Sequence, residues 1–79
     1  MKNNDELVEK HIGDILRIYP GKILLTKVEL AQIRNISVST VNREKEESRG
    51  IPYKKEGGLV LYPIRNIAEW LSKTEKTVN

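Results

Sequence analysis

Residues 26–43 read TKVELAQIRNISVSTVNR, and two helices joined by a tight turn account for that order. Thr26-Lys27-Val28-Glu29 is a capping box: the threonine hydroxyl takes a backbone N–H of the first turn, and the glutamate reaches back to the cap. The helix it opens carries Val28, Leu30, Ala31 and Ile33. It ends near Arg34-Asn35, because asparagine tolerates a left-handed backbone. Ser37 then caps a second helix, Val38 to about Ser48, which Arg49-Gly50 ends. Ala31 is small where the second helix must cross closely, and Ile36 and Val41 are apolar pins on either side of the second cap. These are the physical demands of a helix-turn-helix. An ordinary helical hairpin meets the same pattern.

Upstream, Val8, Ile12, Ile15, Leu16 and Tyr19 form one stripe at helical spacing and predict a helix over 5–19. Asp5, Glu6 and Glu9 favour its start and Pro20-Gly21 stops it. The stripe is expected to bury Ile12, Ile15, Leu16 and Tyr19 against the two helices of the motif. Residues 1–4 read as a frayed end, and Ile23-Leu24-Leu25 as a brief buried strand. Downstream, Gly57-Gly58 between Ile51–Glu56 and Leu59–Tyr62 predicts a hairpin with a two-residue turn. Pairing across it sets Tyr53 opposite Tyr62, Lys55 opposite Val60, Lys54 opposite Leu61 and Glu56 opposite Leu59. Pro63 opens a last helix whose stripe is Ile64, Ile67, Ala68 and Leu71, with Trp70 beside it; residues 73–79 read as a second frayed end. Residues 1–79 thus form a single small α+β domain in the order helix, strand, helix, helix, hairpin, helix.

A chain of 79 residues holds one domain, near the size where a single core becomes marginal. It has no cysteine, hence no disulfide, thiolate metal site or cysteine nucleophile, and its one histidine rules out a multi-histidine metal cluster. His11 and Asp14 read as a surface pair. With no catalytic constellation and no phosphate-cradling loop, neither enzymatic activity nor a cofactor is expected. No apolar run approaches the ~18 residues that cross a bilayer. The N-terminal segment also lacks a secretory apolar core, so a cytoplasmic protein without a membrane partner is expected. The formal net charge is +3. Residues 1–25 carry equal numbers of basic and acidic side chains, so the whole excess lies in 26–79, with the two-helix motif. That excess permits a polyanionic partner without demanding one.

At the start of the second motif helix, Val38, Ser39, Thr40, Asn42 and Arg43 are the side chains left to reach bases or phosphates from a major groove. Arg43, Lys45, Arg49, Lys54 and Lys55 read as a phosphate-contacting set, against the plainer reading of a solvated surface. Tyr53, Tyr62 and Trp70 are expected to anchor the hairpin against the last helix rather than stack on bases.

Taken together, ELAQIRNISVSTVNRE (29–44), RGIPYKKEGGLVLYP (49–63) and IAEWL (67–71) resemble the excisionase and MerR-like helix-turn-helix family. That group includes phage excisionases, regulators of mobile elements and terminase small-subunit DNA-binding domains. The resemblance spans about residues 25–71. It implies a winged helix-turn-helix that binds double-stranded DNA sequence-specifically. The helix beginning at Val38 would lie in the major groove, with the hairpin as a wing at the backbone or minor groove. It also implies control of transcription or of recombination directionality in a phage or mobile element, and binding as a homodimer or with a cooperative protein partner. The chain departs from the family pattern at Glu44, usually a large apolar residue, and at Lys54, Glu56, Leu59 and Leu61 of the hairpin. Those departures supply a second reading, a protein-interaction module on the same fold. Its working surface would be the acidic stretch Glu44–Glu47 and the Leu59/Leu61 strip. Otherwise Leu59 and Leu61 are expected to contact residues 23–25 or another part of the core.

Overall fold

The computed structural model describes the backbone of residues 2–74 and the side chains of residues 5–74. Among them run α1 (Lys2–Ile18), β1 (Leu24–Leu25), α2 (Lys27–Arg34), α3 (Val38–Glu46), β2 (Lys54–Glu56), β3 (Leu59–Pro63) and α4 (Ile64–Thr74). The fold is α+β, four helices with one three-stranded antiparallel sheet, in the element order read from the sequence.

The turn between α2 and α3 closes by local chemistry. Thr26 and Glu29 make the capping box in both directions, at 3.2 and 3.0 Å. Asn35 takes the left-handed conformation (φ 58°). Its N–H donates to the Gln32 carbonyl, and the Ile36 N–H donates to the Ala31 carbonyl at 3.0 Å. That is the Schellman pattern, and it satisfies the carbonyls left open at the helix end. Ala31 and Val41 are buried together and Ile36 packs against the same cluster, as the small-residue crossing requires.

The α3 terminus repeats the device two residues earlier than the sequence suggests. Ser48 (φ 58°) reverses the chain, its N–H donating to Lys45 and the Arg49 N–H donating to Glu44, both at 3.1 Å. Gly50 follows because the chain then passes close to α3: a Cβ there would stand 3.3 Å from the Glu44 Cβ.

β3 is the central strand, with β1 and β2 on its two sides. The hairpin register is the expected one, Lys54 with Leu61, Lys55 with Val60 and Glu56 with Leu59. Gly57 and Gly58 both hold positive φ in the turn. The ladder starts at Lys54 rather than Ile51. Pro52 has no N–H to give a ladder, and its carbonyl accepts instead from the Asn66 side chain at 3.2 Å, which ties this segment to α4. The opening strand is likewise shorter than expected. Ile23 is 72% exposed and only its carbonyl is engaged, accepting from the Ile64 N–H.

The core gathers Ile15, Leu25, Leu30, Ala31, Val41, Ile51, Val60, Tyr62, Ile64 and Ile67. Along β3, Val60 and Tyr62 turn inward. Leu59 stays 55% exposed and Leu61 half-buried, so the expected core contact fails for Leu59. Period-two alternation places those two leucines on the face away from the core.

α1 corrects two expectations. It begins at Lys2, so residues 2–4 are helical rather than frayed, and Met1 lies outside the described residues. It also lies chiefly along α4, not against α2 and α3. On α4, Ile67 and Ala68 are fully buried, and the small Ala68 allows close approach. α1 reaches α2 at its end, where the Tyr19 hydroxyl donates to the Gln32 side chain at 2.7 Å. α4 continues to Thr74, past the expected fraying point; residues 75–79 lie outside the described residues. Asp14 accepts from Arg17 at 2.7 Å on the surface of α1.

Candidate nucleic-acid interface

α3 is fixed from three sides, and what fixes it decides which side chains it leaves to solvent. At its start the Ser37 oxygen accepts the Thr40 N–H at 3.1 Å, and the two hydroxyls lie 3.0 Å apart. Its inward face is Val41, 2% exposed, and one turn later Glu44, 7% exposed. Glu44 receives two hydrogen bonds from the Arg34 guanidinium, at 2.7 and 3.1 Å. The same guanidinium sits over the Trp70 ring, 4.4 Å from its centroid. One buried ion pair and one stacked ring therefore join α2, α3 and α4. The Arg34 hydrogen bonds hold the Glu44 carboxyl below the ordinary glutamate range, against the opposing effect of burial.

With Val41 and Glu44 inward, the 3.6-residue period turns Ser39, Arg43 and Glu46 outward, with Asn42 on the flank. Ser39 and Arg43 are exposed, and Arg43 has no ion-pair partner among the described residues. Asn42 is half-buried. Val38 does not belong to this face: it is half-buried and packs on the core. Thr40 is half-buried and tied to the cap, so its hydroxyl is already engaged.

The basic set divides. The Lys45 ammonium lies over the Tyr53 ring, 5.3 Å from its centroid. Arg49 is bound to Glu47 at 2.6 Å, and this hydrogen bond raises its pKa further. Lys54 pairs with Glu56 at 3.5 Å. Lys55 is exposed, on the face of the hairpin opposite Lys54 and without an acidic partner among the described residues. Lys45, Ser48, Gly50, Ile51, Pro52 and Tyr53 line an open groove of about 360 Å³ between the end of α3 and the segment leading into β2. Tyr53 is 41% exposed, and its anchor on the hairpin is a T-shaped contact with the buried Tyr62, ring centroids 5.9 Å apart.

Two residues here depart from what the sequence pattern suggests. Glu44 reads in sequence as one of a run of surface acids, yet it is buried. Its place three residues after Val41, on the inward stripe, was the available signal. Lys27, the first residue of α2, lines a second groove with Val28, Gly58 and Leu59, next to the hairpin tip. It lies between Thr26 and Glu29 in sequence but takes no part in the capping bonds they make.

Among the described residues no helix is long and apolar enough to cross a membrane, and no three His, Asp or Glu side chains are grouped to hold a metal ion. No family model, curated protein or solved structure matches the chain.

Proposed function

We propose that this protein is a small winged helix-turn-helix that binds double-stranded DNA sequence-specifically, with α3 in the major groove and the β2–β3 hairpin beside the backbone. Its role would be control of transcription or of recombination in a phage or mobile element, as the family resemblance implies. One observation carries the reading. The outward face of α3 offers Ser39, Asn42 and the unpaired Arg43, while its inward face is locked by Val41 and the Glu44–Arg34 pair. A helix braced in that way presents polar side chains at fixed spacing, as base reading requires. Arg43 matches guanine through two hydrogen bonds, and Asn42 matches adenine. Lys45 and Lys55 supply charge for phosphates at the end of α3 and on the hairpin.

A second reading keeps the fold and makes the protein an adaptor, favoured by one observation: Leu59 is 55% exposed. Its acidic half has little left, since Glu44 is buried and Glu47 is bound to Arg49. Selection from a random duplex pool, followed by binding of the winner to wild type and Arg43→Ala, separates the two. The DNA reading expects an enriched sequence and a loss of specificity at one position in the variant. An unenriched pool, together with affinity unchanged by Arg43→Ala, gives the case to the adaptor.

A further inference from the structure

The sequence places three acids at the end of α3, yet the structure leaves only one of them open. Glu44 is held by Arg34 and Glu47 by Arg49. Glu46 is exposed and has no ion-pair partner among the described residues. It shares the outward face with Ser39 and Arg43, with Asn42 on the flank, so that Asn42, Arg43 and Glu46 stand three, four and seven residues from Ser39. In the homeodomain, a helix-turn-helix variant, the major-groove helix reads base edges with four side chains at that same spacing. On the DNA-binding reading of this face, we propose that Glu46 is a specificity-determining residue that accepts a hydrogen bond from a cytosine amino group close to the guanine taken by Arg43.

The chemistry of the base edges selects cytosine. A carboxylate only accepts. In the major groove just two bases offer donors, cytosine at N4 and adenine at N6. Adenine sets its N7 acceptor beside that donor, where it repels the second carboxylate oxygen. On its own edge cytosine sets its amino group beside a C–H, and the one neighbouring acceptor is O6 of the paired guanine on the other side. Arg43 and Glu46 are one turn apart, a rise of about 4.5 Å, against about 3.4 Å per base-pair step. The two contacts therefore fall on neighbouring base pairs. No ion pair joins Arg43 to Glu46 in the structure, so each is open to its own base. The carboxylate also sharpens selectivity by exclusion: opposite guanine it meets only acceptors, opposite thymine an acceptor and a methyl group, and the charge is left unpaired.

The test compares wild type, Glu46→Gln and Arg43→Ala by selection from random duplexes, then by titration of each winner and its single-base variants. Wild type is expected to prefer cytosine at one position by roughly five- to a hundredfold. That position should lie within about two base pairs of the guanine whose preference disappears in Arg43→Ala. In Glu46→Gln the cytosine preference collapses and adenine becomes acceptable, because glutamine pairs with adenine through two bonds. Uniformly tighter binding of Glu46→Gln to every duplex, with base preferences unchanged, overturns the proposal: the carboxylate then only repels phosphate. Loss of guanine preference in Arg43→Ala with Glu46→Gln like wild type overturns the Glu46 role and leaves the DNA reading standing. Equal binding of all duplexes by all three proteins removes both.

Discussion

Glu44 stands one turn after the buried Val41 on the inward face of α3, and it is satisfied there only because Arg34 arrives from another helix. The two side chains are 10% and 12% exposed, so the attraction is poorly screened and the desolvation cost is large. Removing one partner leaves a buried charge. Glu44→Leu is expected to cost about 3 kcal/mol, while Arg34→Met combined with Glu44→Leu recovers most of it. Urea midpoints of the four proteins in a double-mutant cycle measure this; additive losses with no recovery would count against a coupled pair. The same carboxyl sets an acid limit. Its pKa is lowered by Arg34, and that of Glu29 by the Thr26 N–H and then by Lys22. A group with a depressed folded pKa stabilises fully above its unfolded value. It loses that contribution as pH falls through the folded one. Stability should therefore hold from neutral pH to just above pH 4.3 or so and fall below it. Glu29→Gln and Glu44→Gln should each flatten the acid limb of a chemical-denaturation series. A limb unchanged in both would place the acid sensitivity elsewhere.

The ends of α3 show how finely an element is trimmed by its flanking residues. Ser48 holds φ 58° on an exposed turn, a conformation that costs a side-chain-bearing residue and that glycine adopts freely. Ser48→Gly is expected to raise stability by about 0.5–1 kcal/mol, the strain relieved less the extra entropy of the unfolded chain. Two residues on, Gly50→Ala should do the reverse and cost about 1 kcal/mol or more. Its Cβ would press against a helix backbone already held by the Arg34 pair, 3.4 Å from the Glu44 carbonyl carbon. Thermal melts of the two variants should move in opposite directions, and equal shifts would contradict this account of the turn. Such local features were open to sequence reading. The Thr26 and Ser37 caps, the left-handed Asn35, the hairpin register and the stripe of α4 depend on residues within one or two turns of each other. What the sequence could not convey is partnership. The α1 stripe says that Ile15 is buried, but not that α4 covers it. The run Glu44–Glu47 looks like a charged surface until Arg34, ten positions earlier on another helix, is brought alongside. Leu59 and Leu61 resemble core residues by type, and only the alternation set by Val60 and Tyr62 turns them out.

For the whole molecule, charge decides how strong the proposed DNA binding can be. The excess is three positive charges, all in residues 26–79. Of the five basic residues read as a phosphate-contacting set, Arg43 is given to a base in the proposed complex, and Arg49 and Lys54 already face Glu47 and Glu56. Lys45 and Lys55 have no acid beside them among the described residues, so the effective number of neutralised phosphates lies between about two and four. Counterion release then gives a slope of log affinity against log salt of about −2 to −4. Between about 50 and 200 mM salt the affinity should drop by roughly ten- to a hundredfold, far less than for a protein with eight or more phosphate contacts. Lys55→Ala should make the slope shallower by about one and weaken every sequence alike. Arg43→Ala should instead cost about 1–3 kcal/mol on the preferred duplex while relaxing one base position. Fluorescence anisotropy across a salt series, with both variants, reads the two effects separately. A slope steeper than about −6 would require phosphate contacts from residues outside this set. A flat one would remove the polyanion from the picture and turn attention to the exposed Leu59 face. Such modest electrostatics leave base readout by α3, or a second protein bound alongside, to supply the remaining affinity at physiological salt.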